Sequence, residues 1–271
     1  PYHIAGISAL LSSIYSIRRI VLMPAFDPDK WLKLVAEEKV TNAFLVPTML
    51  QRIIARMDEG LQGDMSTAQA IAYGGGRMPG ELIERALELF PTTNFTNAYG
   101  LTETSSTVAL LGPEDHRTAF ASEDPKVRAR LSSVGKPLPT VELEIRDEDG
   151  NKLPDGERGE IYVRGEQVSG EYRGRSALDA DGWFPTRDAG WLDEEGYLFL
   201  AGRADDVIVR GGENISPGEI EDVLGTHPDI AESVAVGIPS VEWGEAVGVA
   251  VVIRPGHDTP SNDELKALIK E

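Results

Sequence analysis

Residues 202–221 read GRADDVIVRGGENISPGEIE. Gly202 and Arg203 make a turn, two adjacent carboxylates follow (Asp205, Asp206), and residues 207–209 form a short β-branched strand. Paired glycines, Gly211 and Gly212, then lead into a helix start. Ser216 is its expected cap, Pro217 its first residue, and Glu219 completes an S-x-x-E capping box. Strand, glycine turn and helix in that order is a common local pattern. The literal string is not common.

Upstream, strand and helix alternate. A helix is expected after Asp27-Pro28, with Trp31, Leu34 and Val35 on one face, then a strand over 43–46. A second helix follows Pro47 with Leu50, Ile53, Ile54 and Met57 at helical spacing. The apolar run 70–73 stops at Gly74-Gly75-Gly76, a helix follows Pro79, and the run 94–99 leads into Gly100-Leu101-Thr102-Glu103. This alternation predicts part of a doubly wound parallel sheet, class α/β. In such sheets ligands collect at loops beyond the carboxyl ends of strands, where both glycine-bearing strings fall. Residues 113–131 are polar and predict a loop and irregular helix. From Val134 the pattern turns to short strands with turns at Asp149-Gly150 and Pro154-Asp155-Gly156, and a hairpin about 193–196; this predicts a small barrel-like subdomain. Beyond it, strands over 234–238 and 247–253 and a helix capped by Ser261 and Glu264 predict an α+β domain. The expected division is 1–133, 134–204 and 205–271.

The chain has 271 residues, 41% hydrophobic, with a net charge of −19. That size allows about two domains with real cores. The acidity argues against nucleic acid and anionic membranes as partners. The absence of cysteine removes disulfides, thiolate metal sites and a cysteine nucleophile, and suits a reducing, cytoplasmic setting. No apolar run reaches the length of a membrane span, and no signal peptide is expected. The first residue is proline and the last lies in a helical pattern, so the chain reads as a piece of something longer. The four histidines (His3, His116, His227, His257) form no ligand motif.

Each candidate site has an ordinary reading beside its functional one. Gly74–Gly76 lets a flat or anionic ligand approach the backbone, or is a plain strand-to-helix turn. Thr102 and Glu103 have the ordinary reading of a helix start, with Thr102 as cap and Glu103 favouring the dipole. Asp188, in Trp183-Phe184-Pro185-Thr186-Arg187-Asp188, has that of a turn carboxylate. Trp243 has that of a packed core residue.

What these strings share is their order along the chain, in which the sequence resembles the adenylate-forming superfamily of acyl-CoA synthetases, peptide-synthetase adenylation domains and luciferases. The wording PTMLQRII, YGLTETSS and VRGGENISPGEIE is most similar to fatty-acyl or related acyl-CoA ligases. The resemblance implies ATP, Mg²⁺ and CoA, a carboxylic acid (a fatty acid) as substrate, and a CoA or carrier-protein thiol as acceptor; it is compatible with a homo-oligomer. It implies that the Tyr99 ring lies against adenine beside Gly100 and the Gly74–Gly76 turn, that Thr102 binds the α-phosphate, and that Glu103 holds Mg²⁺. Asp188 would accept both ribose hydroxyls and Arg203 would contact ribose and phosphates. His3 would border the substrate carboxylate, with Gly76, Arg77 and residues 101–105 along the acyl tunnel. Asp205 would be a hinge, and Gly211, Gly212, Glu213 and Trp243 would line the pantetheine path. Arg77 and Arg187 depart from the family, which has glycine at the position of Arg187. The family's phosphate-gripping loop and its C-terminal catalytic lysine are not in the sequence, so the chain alone is expected to adenylate poorly. Two other readings stay open: adenylate transfer to a carrier protein, and a non-catalytic nucleotide-binding remnant.

Overall fold

A computed structural model describes residues 4–61, 63–169, 171–172, 175–211, 213–241 and 243–270. The chain divides into two compact units, one comprising Pro1–Glu144, Tyr162–Phe184 and Leu192–Phe199, the other Ile145–Ile161, Pro185–Trp191 and Leu200–Glu271.

The first unit opens with α1 (Ile4–Tyr15), α2 (Pro28–Glu38), β1 (Asn42–Leu45), α3 (Pro47–Asp58), β2 (Ala70–Gly74), α4 (Gly80–Leu89) and β3 (Asn94–Leu101). It continues with β4 (Ser106–Leu111), α5 (Pro113–Ala121), α6 (Pro125–Ala129) and β5 (Lys136–Pro137). These strands form one sheet in the order β1-β2-β3-β4-β5. The first three are parallel, with Leu45 opposite Tyr73 and Tyr73 opposite Asn97, and β4 and β5 close the sheet antiparallel. The α/β expectation holds, in a mixed sheet.

Alternation decides what each face does. Leu45, Ile71, Tyr73 and Phe95 enter a core with Leu32, Val35, Leu50, Ile53 and Ile83 from α2, α3 and α4. Each fully buried Leu or Ile there is worth about 1.5–3 kcal/mol relative to exposure. The opposite face presents Ala70, Ala72, Ala98 and Gly100 toward α1. α1 buries none of its residues, and Leu11, Ile14 and Tyr15 stand exposed.

Residues 113–131 are more regular than their polarity suggests, folding as α5, α6 and a 3₁₀ turn at Arg130–Ser132. Their prolines open both helices, where the missing N–H costs nothing. α5 also carries a fully buried histidine. His116 Nδ1 lies 2.7 Å from the Gly112 carbonyl and Nε2 lies 2.8 Å from the Tyr73 hydroxyl. A carbonyl only accepts, so Nδ1 carries the proton and Nε2 accepts from Tyr73. Far along the chain, the Tyr197 ring meets Arg130 and Lys136, at 4.4 Å and 4.5 Å from its centroid. Its hydroxyl donates to Asp115 at 2.7 Å, and burial together with that carboxylate pushes the phenol up to about 12.

The β-rich middle supplies β6 (Val141–Arg146), β7 (Gly159–Gly165), β8 (Glu171–Tyr172), β9 (Arg175–Ser176), β10 (Phe184–Leu192) and β11 (Leu198–Arg203). Among the described residues it is an open sheet ordered β11-β10-β7-β6, with β8 and β9 as a separate ribbon, and not a closed barrel. The expected hairpin joins β10 to β11, its turn fixed by the Asp193 carboxylate accepting the N–H groups of Glu195 and Tyr197.

The second unit ends in β12 (Ile208–Arg210), β13 (Glu213–Ile215), α7 (Pro217–Gly225), β14 (Ile230–Ser240), β15 (Gly244–Ile253) and α8 (Asn262–Lys270), an antiparallel sheet ordered β13-β12-β15-β14. Ile220, Leu224, Ile230 and Ala235 form its small core, joined by Val247, Val251, Leu265 and Ile269. Its other face leaves Val234, Val236, Ile238 and Val252 exposed.

The two expected capping boxes part company. At α8 the box forms: the Glu264 N–H donates to Ser261 Oγ and the Ser261 N–H to the Glu264 carboxylate. At α7, Pro217 takes the first helical position as expected, but Ser216 makes no cap bond. Its buried hydroxyl donates instead to the Ala201 carbonyl at 2.7 Å, and Glu219 pairs with Arg158. A tertiary acceptor has outcompeted the local one.

Burial holds the His116 pKa below the ordinary value of about 6.5. Above that pH the imidazole is neutral in both folded and unfolded chains and contributes no pH dependence. Below it the unfolded chain binds the proton more readily, so stability falls as pH falls, by up to about 1.4 kcal/mol per unit, until the folded pKa is reached. Replacing both partners (Y73F/H116L) removes this term. Urea unfolding from pH 7.5 to 5 is expected to show the variant losing less stability than wild type below pH 6.5.

Candidate functional site

In the first unit two loops meet at the carboxyl ends of neighbouring parallel strands. Gly74 ends β2 in register with Ala98 of β3. Gly75 and Gly76 follow it, exposed, with Gly75 at φ 77°. Beside them Tyr99 is buried in β3, Gly100 is exposed, and Thr102-Glu103-Thr104 make a single 3₁₀ turn. Leu101, not Thr102, occupies the N-cap position, so the ordinary capping reading of Thr102 is not realised, and its side chain is exposed. The turn is anchored from below: Thr104 is fully buried and its hydroxyl accepts the Leu101 N–H at 2.9 Å. Ser105 and Ser106 both have positive φ, 53° and 97°. The return puts the Ser106 carbonyl 1.5 Å from where a Cβ on Gly100 would stand, so no other residue fits there.

Residues 165–169 brace the same turn. Gln167 Nε2 donates to the carbonyls of Thr107 and Thr104, the Ser105 hydroxyl donates to the Gln167 carbonyl, and the Ser169 N–H donates to the Glu103 carbonyl. A cavity of about 400 Å³ between α1 and the small-residue face of the sheet reaches this end, lined among others by Ala9, Ala72, Gly75, Ala98 and Gly100. Glu103 is half-buried. Among the described residues no group of three His, Asp or Glu side chains could hold a metal by itself. One carboxylate beside an open loop is the kind of donor that shares a cation with ligand oxygens and water, as Mg²⁺ is usually held.

In the second unit the Arg203 guanidinium donates to the buried Asp188 carboxylate at 2.8 Å, its own side chain 49% exposed. Arg203 ends β11, and Asp205 lies in the 3₁₀ turn that follows. Gly211 has φ 62° and donates its N–H to the Trp243 carbonyl at 2.8 Å. A Cβ on Gly211 would stand 3.0 Å from the indole, and Arg210 lies over that ring at 4.6 Å. Trp243 is 42% exposed and so is not a core tryptophan. His3 and Gly212 lie outside the described residues, as does the side chain of Glu213.

Two residues of this region were not singled out by sequence reasoning, Thr186 and Glu160. The Thr186 hydroxyl is buried, donates to the Ile161 carbonyl at 2.8 Å and accepts the Asp188 N–H at 3.1 Å. The Glu160 carboxylate accepts the Arg187 N–H at 3.1 Å. Both links run across strands, so no spacing along the chain announces them. Arg187 itself has φ 60°, a left-handed conformation that costs a non-glycine residue about 1–2 kcal/mol.

The R187G variant is expected to be more stable than wild type by about 1 kcal/mol, since glycine adopts this conformation freely. G100A is expected to lose at least about 2 kcal/mol, because the added methyl meets backbone rather than a movable side chain. Denaturant midpoints of both variants check the opposite signs.

The family described as AMP-binding enzyme matches residues 1–173, and AMP-binding enzyme C-terminal domain matches 219–271. A 2-succinylbenzoate–CoA ligase of Bacillus licheniformis is 34% identical over 275 residues, covering 100% of this chain and 53% of that protein. A fatty acid–[acyl-carrier-protein] ligase of Streptomyces coeruleorubidus is 34% identical over 266 residues, covering 97% and 49%. The structure of o-succinylbenzoate CoA synthetase from Bacillus subtilis with its acyl-adenylate intermediate matches with TM-score 0.80 at 33% identity, over 99% of this chain and 52% of that one. The chain thus spans about half the length of the curated relatives it matches. The family match and the relatives agree, and the chain belongs to the AMP-binding enzyme family.

Proposed function

We propose that this chain is part of an ATP-dependent acyl-CoA synthetase. The substrate carboxylate attacks the α-phosphorus of ATP, the bond to the β-phosphate oxygen breaks, and acyl-adenylate and pyrophosphate result. The CoA thiol then attacks the acyl carbon and AMP leaves. The substrate brings its own nucleophile, so the protein's work is positioning and charge neutralisation. The observation that carries this reading is the pair of loops at the ends of β2 and β3, where exposed glycine backbone lies beside an exposed threonine hydroxyl and a carboxylate.

In this reading Gly74–Gly76 and Tyr99-Gly100 receive the adenine, Thr102 donates to the α-phosphate, and Glu103 holds Mg²⁺, which when bound neutralises phosphate oxygens. Asp188 accepts the ribose hydroxyls and Arg203 serves the ribose and phosphates. His3 borders the substrate carboxylate, a fatty acid or related acid. Gly211, Gly212 and Trp243 serve the pantetheine arm, supported by the packing of Gly211 on the indole. Residues 1–133 and 134–204 form the larger catalytic part, and 205–271 a C-terminal domain hinged at Asp205. The absence of cysteine suits a cytoplasmic enzyme. A carrier-protein acceptor in place of CoA is favoured by the Streptomyces relative, which is named for that acceptor.

The test is pyrophosphate release by the full-length gene product with ATP, Mg²⁺ and a panel of carboxylic acids, with and without CoA. CoA-dependent turnover, reduced about 10–100-fold in kcat/KM by D188A through loss of hydrogen bonds to a charged group, is the expected result. Turnover indifferent to CoA points to a carrier protein. Silence with every acid points to a nucleotide-binding remnant.

A further inference from the structure

We infer that Glu160 is a positioning residue for Asp188, acting through the backbone of Arg187. The inference rests on the reading of Asp188 as the acceptor of the ribose hydroxyls and adds to it the device that aims the carboxylate. β7 and β10 are sheet neighbours, and Thr186-Arg187-Asp188 is fastened to two successive residues of β7. Thr186 Oγ1 reaches the Ile161 carbonyl, and Glu160 Oε1 takes the Arg187 N–H. Between these two anchors Arg187 adopts φ 60° while Thr186 and Asp188 both remain on the buried side.

A left-handed residue inside a strand turns its amide out of the regular ladder, and an amide so turned needs an acceptor. Here a side chain, half-buried Glu160, accepts from that amide. The next amide, of Asp188, is taken by Thr186 Oγ1, and the Asp188 carboxylate then meets Arg203. Removing the Glu160 acceptor takes one hold off a residue already in an unfavourable conformation. The turn then relaxes toward negative φ, and the side chain that follows it loses its aim. A carboxylate that must accept from two vicinal hydroxyls is sensitive to such a rotation, because both bonds depend on one orientation.

The experiment compares E160A, E160D and E160Q in the full-length gene product. E160D keeps the charge but retracts the acceptor by one methylene; E160Q keeps the acceptor in place without the charge. Titration calorimetry gives the ratio of dissociation constants for 3′-deoxy-AMP and AMP, which reports diol recognition and is indifferent to a general loss of affinity. Amide hydrogen exchange at Arg187, read by NMR, reports the clamp itself. Wild type and E160Q are expected to prefer AMP by about 10-fold, as one hydrogen bond to a charged acceptor predicts. E160A and E160D are expected to lose that preference and to exchange the Arg187 amide at least about 10-fold faster. A wild-type ratio in E160A or E160D overturns the inference, and so does loss of the preference in E160Q. If E160A does not fold, E160D and E160Q decide the matter. If wild type and D188A show the same ratio, the ribose reading of Asp188 fails; the clamp then stands or falls on whether E160D alone speeds exchange at Arg187.

Discussion

Side-chain alternation on three parallel strands is the constraint from which the first unit follows. Large residues on one face, Leu45, Ile71, Tyr73 and Phe95, demand helices to cover them, and α2, α3 and α4 supply the matching Leu32, Val35, Leu50, Ile53 and Ile83. Small residues on the other face, Ala70, Ala72, Ala98 and Gly100, leave space instead of core. The same strands thus build a dry interior and a cavity wall, and both candidate loops grow from their carboxyl ends. A bulky residue at Ala72 or Ala98 would not disturb the core at all; it would fill the cavity.

Much of this was legible because periodicity is a local property. The spacing of Leu50, Ile53 and Ile54 names a buried helix face whatever it packs against, and the glycines at 74–76 and 100 mark where strands end. What could not be read depends on partners distant along the chain. Ser216 and Ser261 stand in the same S-x-x-E pattern, yet only Ser261 caps its helix, because Ser216 finds the Ala201 carbonyl 15 residues away. The polar stretch 113–131 hid two helices because its cohesion rests on a buried histidine that meets a tyrosine 43 residues upstream. Whether the β-rich middle closes into a barrel was likewise not decidable from strand count, since closure depends on pairing between its outermost strands. The site strings were legible as strings; the cross-strand support from Gln167, Thr186 and Glu160 was not.

The candidate nucleotide residues also show how charge is managed in a chain carrying −19. Carboxylates are in large excess, so an arginine is the scarce partner, and one of them is committed to Asp188. Burying a carboxylate is costly unless it is paired and hydrogen-bonded. Asp188 meets that requirement with Arg203, whose half-exposed guanidinium keeps one side in water. The pair is therefore weaker than a fully buried one, and correspondingly easier for a polar ligand to share.

At the opposite end of the chain, β14 is the marginal strand of the last sheet, and every second residue from Val234 to Ile238 is an exposed aliphatic. Opposite them on β15 stand Ala250, Gly248 and Ala246, too small to break the apolar surface. A long β-branched margin is the kind of template on which chains pair edge to edge, and natural proteins blunt it with charge, proline or cover. Here the blunting within the strand is slight: Glu232 at one end and Pro239 at the other. The burden of colloidal stability falls on the net negative charge, whose repulsion salt screens. Solubility of this chain is for that reason a function of ionic strength, set by its surface rather than by the stability of its cores.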